Sequence, residues 1–349
     1  MSDKAKTILD VAREAKVSAA TVSRVFNGSP LVTEKTSKAV LDVADKMNFN
    51  PSRVARRLRV SSQASGIIGV IITDIKNPFF SEVVRGVEDF SFDRKHGIIT
   101  CNSDEDAEKE KFYINTLISE QVSGLVIAPT RHNLDFLQSL TEKGYSIVLV
   151  DRTDGRSCAD SVMVNNIEGA RTAVRHLIEL GHTRIGFIGG IPGISTTEER
   201  YKGYLKAHME AGIPVDKSLV TYGNSRQDGG INQARQLLRL SKPPKAIFVT
   251  NNLMTLGCLQ ELHVQGVIIP DEMAVVGFDD MPWSVALNPP LTAVKQPGYD
   301  IGRRAAELLF KRIQNPSRAP NHLMLNADLI IRKSCGATFM EIEDCYLKT

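Results

Sequence analysis

Short apolar segments alternate with helical patterns from residue 66 to about residue 336. Each segment has the length of a β-strand, is rich in β-branched residues, and is followed by a loop and a helical stretch such as 78–95. This alternation is typical of α/β folds, in which helices cover both faces of a mostly parallel sheet. The predicted strands are 66–73, 97–101, 123–128, 146–150, 184–188, 245–250 and 273–277.

Polar and aromatic residues follow these strands and nearby segments. In open parallel sheets ligands bind at the carboxyl ends of the strands, so these residues are the candidates for a binding site. Aromatic rings stack on the apolar faces of sugars, and carboxylate, amide and guanidinium groups hydrogen-bond to hydroxyls, which favours a small polyol. Each residue also has a structural alternative as a helix cap, a core ring or a surface ion pair. The candidates are Asn77, Phe79, Phe80, Asp151, Arg152, Arg200, Asn251, Asp279, Trp283 and Gln296.

The first fifty residues predict three short helices. Thr7 is a plausible N-cap for the first, Ser18 for the second over 19–26, and the third begins after Thr33. Two short helices joined by a tight turn are typical of a helix-turn-helix, whose second helix enters the major groove. Val22 and Val25 would face inward. Small or basic residues are left to face DNA, namely Ala19, Ala20, Thr21, Ser23 and Arg24. A generic three-helix bundle with a basic face is the alternative.

The charge is unevenly distributed along the chain. Residues 1–60 hold 12 Lys and Arg against 6 Asp and Glu, whereas the remainder holds 31 against 34. A basic appendage on a neutral or slightly acidic body indicates binding to nucleic acid.

The segment 52–59 predicts a helix that needs a partner. An extended Asn50-Pro51 step precedes Ser52, and about two helical turns follow. Isolated helices of this length are marginal in water, so this one is expected to form only when paired. Four arginines surround Leu58, which suggests cations for the DNA backbone and an apolar wedge for the minor groove.

These two segments resemble a known family. ILDVAREAKVSAATVSRVFNG followed by NPSRVARRL is similar to the head and hinge of the lactose-repressor (LacI/GalR) family of transcription regulators. The resemblance implies that Ala55 and Leu58 enter the minor groove and that two hinges pair across a palindromic operator. Lys16 stands where many members have Gly, so a left-handed turn there would cost up to about 1 kcal/mol. The implied DNA contacts are Ser18, Ala19, Ala20, Thr21, Ser23, Arg24, Asn27, Ala55, Arg56 and Leu58.

The body resembles the periplasmic-binding-protein-like core of the same family. The resemblance implies two doubly wound parallel-sheet lobes, 66–164 with 294–323 and 165–293 with 324–336, that close on a ligand. The candidate residues, apart from Asn77 and Trp283, match sugar-binding positions of ribose-binding relatives. The predicted domains are an all-α head (1–60) with its hinge helix (52–59), a linker (61–65), an effector-binding domain (66–336) and a tail (337–349).

Several classes of protein are not favoured by the sequence. It has no apolar run of membrane-spanning length, no export signal, no paired-cysteine or histidine metal motif, and no nucleophile or phosphate-binding motif. We therefore expect a cytoplasmic protein with no catalytic residues, no cofactor and no metal. The tail lacks sustained heptads, which favours a homodimer over a tetramer.

The sequence thus predicts a repressor of a carbohydrate-utilisation operon that binds a palindromic operator and is controlled by a small sugar or sugar acid. A purine- or nucleoside-responsive corepressor-type regulator is the alternative within the same fold. A sugar-binding component of a transporter would need an export signal and no basic head. A sugar-active enzyme would need an acid/base pair, for which Asp151 and Asp279 are conceivable.

Overall fold

The computed structural model describes residues 7–26, 29, 31–47, 49, 66–153 and 159–337. The predicted hinge and linker, the tail from residue 338, and the candidate residues Asn27, Ala55, Arg56 and Leu58 lie outside these ranges. The chain divides into two compact units, Met1–Ser65 and Gly66–Thr349.

The first unit is built from three helices around one small core. They are α1 (Ile8–Glu14), α2 (Ala19–Phe26) and α3 (Glu34–Lys46). Thr7 and Asp10 form a capping box on α1, and Ser18 and Thr33 accept hydrogen bonds from Thr21 and Thr36 at the starts of α2 and α3. The three predicted helix starts are confirmed. The buried core consists of Val11, Ala12, Val22, Val25, Val40 and Ala44.

The turn between α1 and α2 carries backbone strain. Lys16 has a φ of 54°, in the left-handed region where a side chain is disfavoured. The expectation of a left-handed residue at this position is therefore confirmed. The turn lets Val11 of α1 and Val22 of α2 bury together.

The second unit contains two six-stranded sheets. The first sheet has the order β11-β5-β4-β3-β1-β2 and all its pairs are parallel. Its strands are β1 (Ile67–Ile72), β2 (Gly97–Asn102), β3 (Gly124–Ile127), β4 (Ile147–Val150), β5 (Asp160–Val164) and β11 (His322–Leu325). Its helices are α4 (Pro78–Phe92), α5 (Ala107–Ser119), α6 (Leu134–Glu142) and α11 (Gly298–Gln314).

The second sheet repeats this pattern in the order β12-β10-β9-β8-β6-β7, with β12 antiparallel to β10. Its strands are β6 (Ile185–Gly189), β7 (Val220–Tyr222), β8 (Ala246–Val249), β9 (Ala274–Phe278), β10 (Thr292–Lys295) and β12 (Asp328–Ile330). Its helices are α7 (Asn166–Glu179), α8 (Ser195–Glu210), α9 (Gln227–Leu238) and α10 (Asn252–Val264), and 3-10 turns lie at Lys217–Leu219, Ser284–Ala286 and Lys333–Cys335.

The chain passes between the two lobes three times, after β5, β10 and β11. Two of the predicted lobe boundaries are wrong by two residues. Residues 294 and 295 belong to β10 in the second sheet, and residues 324 and 325 belong to β11 in the first. Backbone pairing with β9 and β12 holds residues 294 and 295, and pairing with β5 holds residues 324 and 325. No local sequence pattern predicts this pairing.

All seven predicted strands are present, and five further strands escaped the prediction. Those five are β5, β7, β10, β11 and β12, each only three to five residues long. The predicted strands β3, β4 and β8 are equally short, but they are uninterrupted apolar runs, whereas each missed strand contains a polar residue and is decided by long-range pairing. The two sheets and their covering helices confirm the predicted α/β class.

Candidate functional site

A cleft between the two lobes lies at the carboxyl ends of the strands. The cavity that it encloses has a volume of about 60 Å³. Nine of the ten candidates from the sequence line it: Asn77, Phe79, Phe80, Asp151, Arg152, Arg200, Asn251, Asp279 and Gln296. The rule that ligands bind at strand ends therefore selected residues that are up to 219 positions apart in the sequence, from Asn77 to Gln296, and that the fold places in one cleft.

The first lobe contributes a cluster of three charged side chains. Arg152 Nε donates to Asp151 Oδ2 at 2.9 Å, and Arg152 Nη1 donates to the two carboxylate oxygens of Glu105 at 2.7 and 3.0 Å. Burial alone would lower the pKa of Arg152, but the two carboxylates raise it overall. Arg152 is therefore a permanent cation that holds both carboxylates in the cleft wall.

The second lobe contributes an aspartate with different neighbours. Asp279 is 5% exposed and accepts a hydrogen bond from Gln296 Nε2. Burial raises the pKa of Asp279, and the nearby Arg200 opposes that rise. Burial has the opposite effect on Arg200 and lowers its pKa, and the carboxylates of Asp279 and Asp151 oppose that decrease. A buried carboxylate in the cleft wall can accept hydrogen bonds from a molecule bound there.

Arg200 is fixed on three sides. Its Nε donates to Asn166 Oδ1 at 2.8 Å and its Nη1 donates to the Thr250 carbonyl at 2.6 Å. The centre of the guanidinium lies 3.8 Å from the centroid of the Phe278 ring. The side chain is 6% exposed and lines the cleft.

The asparagines of the cleft also hold structure together. Asn251 caps α10 by accepting from Met254 N at 2.9 Å, and its Nδ2 donates to the Ser225 carbonyl at 2.9 Å. Asn77 caps α4, and its Oδ1 also accepts from Asn252 Nδ2 at 2.6 Å, which joins the two lobes.

The aromatic candidates behave differently from one another. Phe79 and Phe80 line the cleft from the first turn of α4 and contact each other edge to face. Trp283 is half-buried beside the 3-10 turn Ser284–Ala286 and is not among the lining residues. The chain leaves β9 through Asp279 and Asp280, and by Trp283 it has passed the cleft.

Twelve lining residues were missed by the sequence reasoning. Ten of them lie within four residues of the end of a strand, so the same rule, applied to all strands, finds those ten. Those after β7 were lost because that strand was not predicted. The missed residues are Thr73, Asp74, Asp104, Glu105, Gly190, Thr196, Thr197, Asn224, Ser225, Arg226, Thr250 and Leu253.

The second helix of the first unit presents the predicted DNA-facing residues unevenly. Ser18, Ala20 and Arg24 are exposed, while Thr21 and Ser23 are intermediate. Ala19 is also intermediate and packs partly against the core, so it is less outward than predicted. The hydroxyls of Ser18 and Thr21 lie 2.9 Å apart and satisfy each other at the helix start.

Neither a metal-binding cluster nor a membrane-spanning helix occurs among the described residues. Within them no group of three or more His, Cys, Asp or Glu side chains is arranged to hold a metal ion. No helix in the same part of the chain combines the length and the apolar character needed to cross a bilayer.

Comparisons with known proteins agree with this architecture. Residues 7–52 match the model of bacterial regulatory proteins of the lacI family, and residues 174–335 match a periplasmic binding protein-like domain. The HTH-type transcriptional repressor PurR of Actinobacillus pleuropneumoniae is 34% identical over 330 residues, which cover 94% of this chain and 98% of that protein. Catabolite control protein A of Priestia megaterium is 37% identical over 311 residues, covering 87% and 92%.

Solved structures give the same result. The lac repressor dimer bound to operator and an anti-inducer matches 96% of this chain and all of that chain, with a TM-score of 0.83 and 26% identity. A crystal structure described as "a putative ribose operon repressor" from Burkholderia thailandensis matches 76% of this chain and 98% of that chain, with a TM-score of 0.70 and 33% identity. A LacI-family regulator from Enterococcus faecium with bound ribose matches 77% and 98%, with a TM-score of 0.70 and 27% identity.

These relatives are transcriptional regulators and not enzymes, as the sequence predicted. The helix-turn-helix head, the two-lobed core and the full-length similarity together show that the chain is a DNA-binding transcription regulator of the lacI family.

Proposed function

We propose that this regulator represses a carbohydrate-utilisation operon in the cytoplasm and that a neutral sugar, with D-ribose as the first candidate, binds in the cleft and controls its affinity for a palindromic operator. The observation that carries the proposal is the charge of the cleft. Five carboxylates line it against three guanidinium groups, those of Arg152, Arg200 and Arg226. An excess of carboxylates repels anions and supports a neutral polyol over a sugar acid or a phosphosugar.

The position of the aromatic rings supports the same choice. Phe79 and Phe80 both belong to the first turn of α4, so they offer one apolar wall. The second lobe faces them with Asn251, Asp279 and other polar groups, apart from Leu253. A sugar ring has one apolar face and a rim of hydroxyls, which suits one aromatic wall opposite hydrogen-bonding groups.

A purine corepressor is the second candidate, because similar proteins named PurR cover almost the whole chain. A flat base would gain most from rings on both of its faces. Among the lining residues, Phe79 and Phe80 are the aromatic ones, and both lie in the first lobe. This arrangement favours the sugar, for which the two ribose-related structures are a further argument.

The experiment that tests the effector class is a thermal-shift and calorimetric screen of the full chain. D-ribose and other neutral sugars are compared with D-gluconate, ribose 5-phosphate, hypoxanthine and guanine. A ligand at about one hundred times its dissociation constant stabilises the folded protein by about 2.7 kcal/mol, which gives a measurable shift. We expect shifts with neutral sugars. A shift with purines alone would establish the corepressor function instead.

A pair of variants tests the site itself. Asp279→Asn removes the carboxylate from the cleft but keeps a side chain that tolerates the φ of 73° at this position. We expect sugar binding to fall about 10- to 150-fold, since hydrogen bonds to charged groups contribute about 1.5 to 3 kcal/mol. Asp271→Asn, on an exposed turn before β9, is the matched control and should leave sugar affinity unchanged. Equal affinity of both variants would remove Asp279 from the site.

DNA binding by the head is tested with an operator selected from random palindromic duplexes. Arg24 is exposed on α2, and Arg13 is an exposed arginine of the same unit on α1. Arg24→Ala should weaken specific binding by about 1 to 3 kcal/mol and relax selection at one base pair, because a bidentate contact to guanine is lost. Arg13→Ala should change only the weak, salt-dependent part of the affinity for DNA, which does not depend on sequence.

The hinge and the dimer are part of the proposal. We expect Leu58→Ala to weaken operator binding by more than about 1 kcal/mol without changing sugar affinity, because a minor-groove wedge is removed. Two copies of the chain would bind the two half-sites, and sedimentation of the protein with and without operator measures this stoichiometry. Unchanged operator affinity of the Leu58 variant would argue against the hinge interpretation.

A further inference from the structure

The buried side chain of Asn166 connects a cleft residue to the boundary between the lobes. Asn166 is 2% exposed and is the first residue of α7, where the chain has just left β5 for the second lobe. It is not among the residues that line the cleft. Its role must therefore act through its neighbours.

The amide of Asn166 is fully used. Its Oδ1 accepts from Arg200 Nε at 2.8 Å, and its Nδ2 donates to Glu199 Oε2 at 2.9 Å and to the Val164 carbonyl at 3.2 Å. The opposite orientation of the amide would set an N–H group against the N–H of Arg200 and an oxygen against two acceptors. The three partners thus fix one orientation of this side chain.

The partners of Asn166 belong to both lobes. Val164 is the last residue of β5 in the first lobe, whereas Arg200 and Glu199 belong to α8 in the second. A rotation between the lobes would change the backbone at this passage. The Asn166 amide would then carry that change to the guanidinium of Arg200, whose Nη1 is held separately by the Thr250 carbonyl.

We propose that Asn166 is the positioning residue for Arg200. Through this contact, the orientation of the Arg200 guanidinium in the cleft is coupled to the segment after β5, where the chain first crosses from one lobe to the other. The inference rests on the proposed function in one respect, that Arg200 contacts the effector. A long side chain loses rotamer freedom when it binds, so holding it in place beforehand raises affinity without a new contact to the ligand.

The first test needs no effector. In the full-length protein labelled with ¹⁵N-arginine, the Nε–H resonance of Arg200 is assigned by its loss in Arg200→Lys. Asn166→Leu keeps the size of the side chain but removes the acceptor, and we expect the resonance to shift and to lose its protection from exchange with water. Asn165→Ala removes the neighbouring cap of α7, which accepts from Glu168 N at 3.1 Å, and should leave the resonance unchanged.

A second variant keeps this test decisive if Asn166→Leu does not fold. Asn166→Asp retains an acceptor for Arg200 but cannot donate to Val164, and it is combined with Glu199→Gln to avoid two facing carboxylates. We expect the Arg200 resonance to be retained in this double variant. The inference would be overturned by an unchanged resonance in Asn166→Leu, by a loss of equal size in Asn165→Ala, or by loss of the resonance in the folded double variant.

The second test is a double-mutant cycle with D-ribose as the probe, measured by calorimetry. Asn166→Leu should weaken binding about ten-fold in the native background and less than about two-fold in Arg200→Lys, because the effect passes through Arg200. A merely structural role would give equal losses in both backgrounds. If D-ribose does not bind the native protein, the proposed effector fails, and the Arg200 resonance alone decides the positioning role.

Discussion

Two aspartates occupy equivalent places in the two lobes but have different electrostatic surroundings. Asp151 follows β4 and Asp279 follows β9, each the third strand from one edge of its sheet. Their φ angles are 68° and 73°, and they are 7% and 5% exposed. The repeated fold therefore gives both residues the same strained backbone and nearly the same burial.

Their neighbours make them differ. Asp151 is bonded to Arg152, which also pairs with Glu105. Asp279 accepts from Gln296, while the donors of the nearby Arg200 go to Asn166 and Thr250. Burial consequently raises the pKa of Asp279. The comparison teaches that strand-end geometry places a carboxylate, whereas the side chains around it set its hydrogen bonds and ion pairs.

The largest expected effect is the removal of the cation in the first lobe. Arg152→Met would leave Asp151 and Glu105 facing each other with side chains 7% and 22% exposed. We expect the free energy of unfolding of the effector-binding unit to fall by about 3 kcal/mol, because a partly buried carboxylate pair loses its counter-ion. Urea unfolding measures this loss.

The control for that change is Arg85→Met, since Arg85 pairs with Glu88 and Asp89 but is 65% exposed. Exposed pairs contribute at most about 1 kcal/mol. A loss below that value for Arg152→Met would contradict the role assigned to the first-lobe cluster. Adding Glu105→Gln to Arg152→Met should recover part of the loss.

One substitution made in both lobes should have opposite effects. Asp151→Asn leaves Arg152 with one carboxylate and should destabilise the protein by about 2 kcal/mol. Asp279→Asn keeps an acceptor for Gln296 and removes a buried charge, so it should stabilise the effector-free protein by about 1 kcal/mol at neutral pH while weakening sugar binding. Thermal unfolding without ligand checks both, and effects of the same sign would remove the distinction between the lobes.

The pH dependence of stability sharpens the same point. The ordinary pKa of Asp279 is 3.8 and folding raises it. At pH values between the ordinary pKa and the raised pKa of the folded state, the folded chain binds more protons than the unfolded chain. The contribution of this group to stability therefore falls as pH rises. The advantage of Asp279→Asn over the native protein should therefore be absent near pH 4 and grow above it. If the free energies of unfolding of Asp279→Asn and of the native protein changed in parallel from pH 4 to pH 8, this would argue against a raised pKa of Asp279.

The smallest effect is expected where the lobes touch. Asn252→Ala removes the 2.6 Å bond to Asn77 Oδ1, which still accepts from Phe79 N. The change also removes the contacts of this amide with Leu253 N and Met281 Sδ. Because Asn77 Oδ1 keeps its other donor, we expect sugar affinity to fall only about three- to ten-fold, equivalent to about 1 kcal/mol of lobe closure. Asn115→Ala, exposed on α5, is the control. No change in affinity would mean that this bond does not favour closure.

The sequence by itself determined what depends on neighbouring residues. The caps Thr7, Ser18 and Thr33 and the apolar periodicity located α1, α2 and α3, because capping and helix formation act over three or four positions. The seven predicted strands were found for the same reason, as apolar runs rich in β-branched residues. The strand-end rule then selected nine residues of the cleft without any knowledge of distances.

Only the tertiary structure decided which distant groups meet. It gave Arg152 the carboxylate of Glu105, Arg200 the amide of Asn166, and Asn77 the amide of Asn252, and it left Trp283 off the cleft wall. The short strands β7, β11 and β12 likewise depend on pairing with strands far along the chain. These features escape the sequence because their stabilising partners lie tens to hundreds of residues away, where periodicity and capping carry no information.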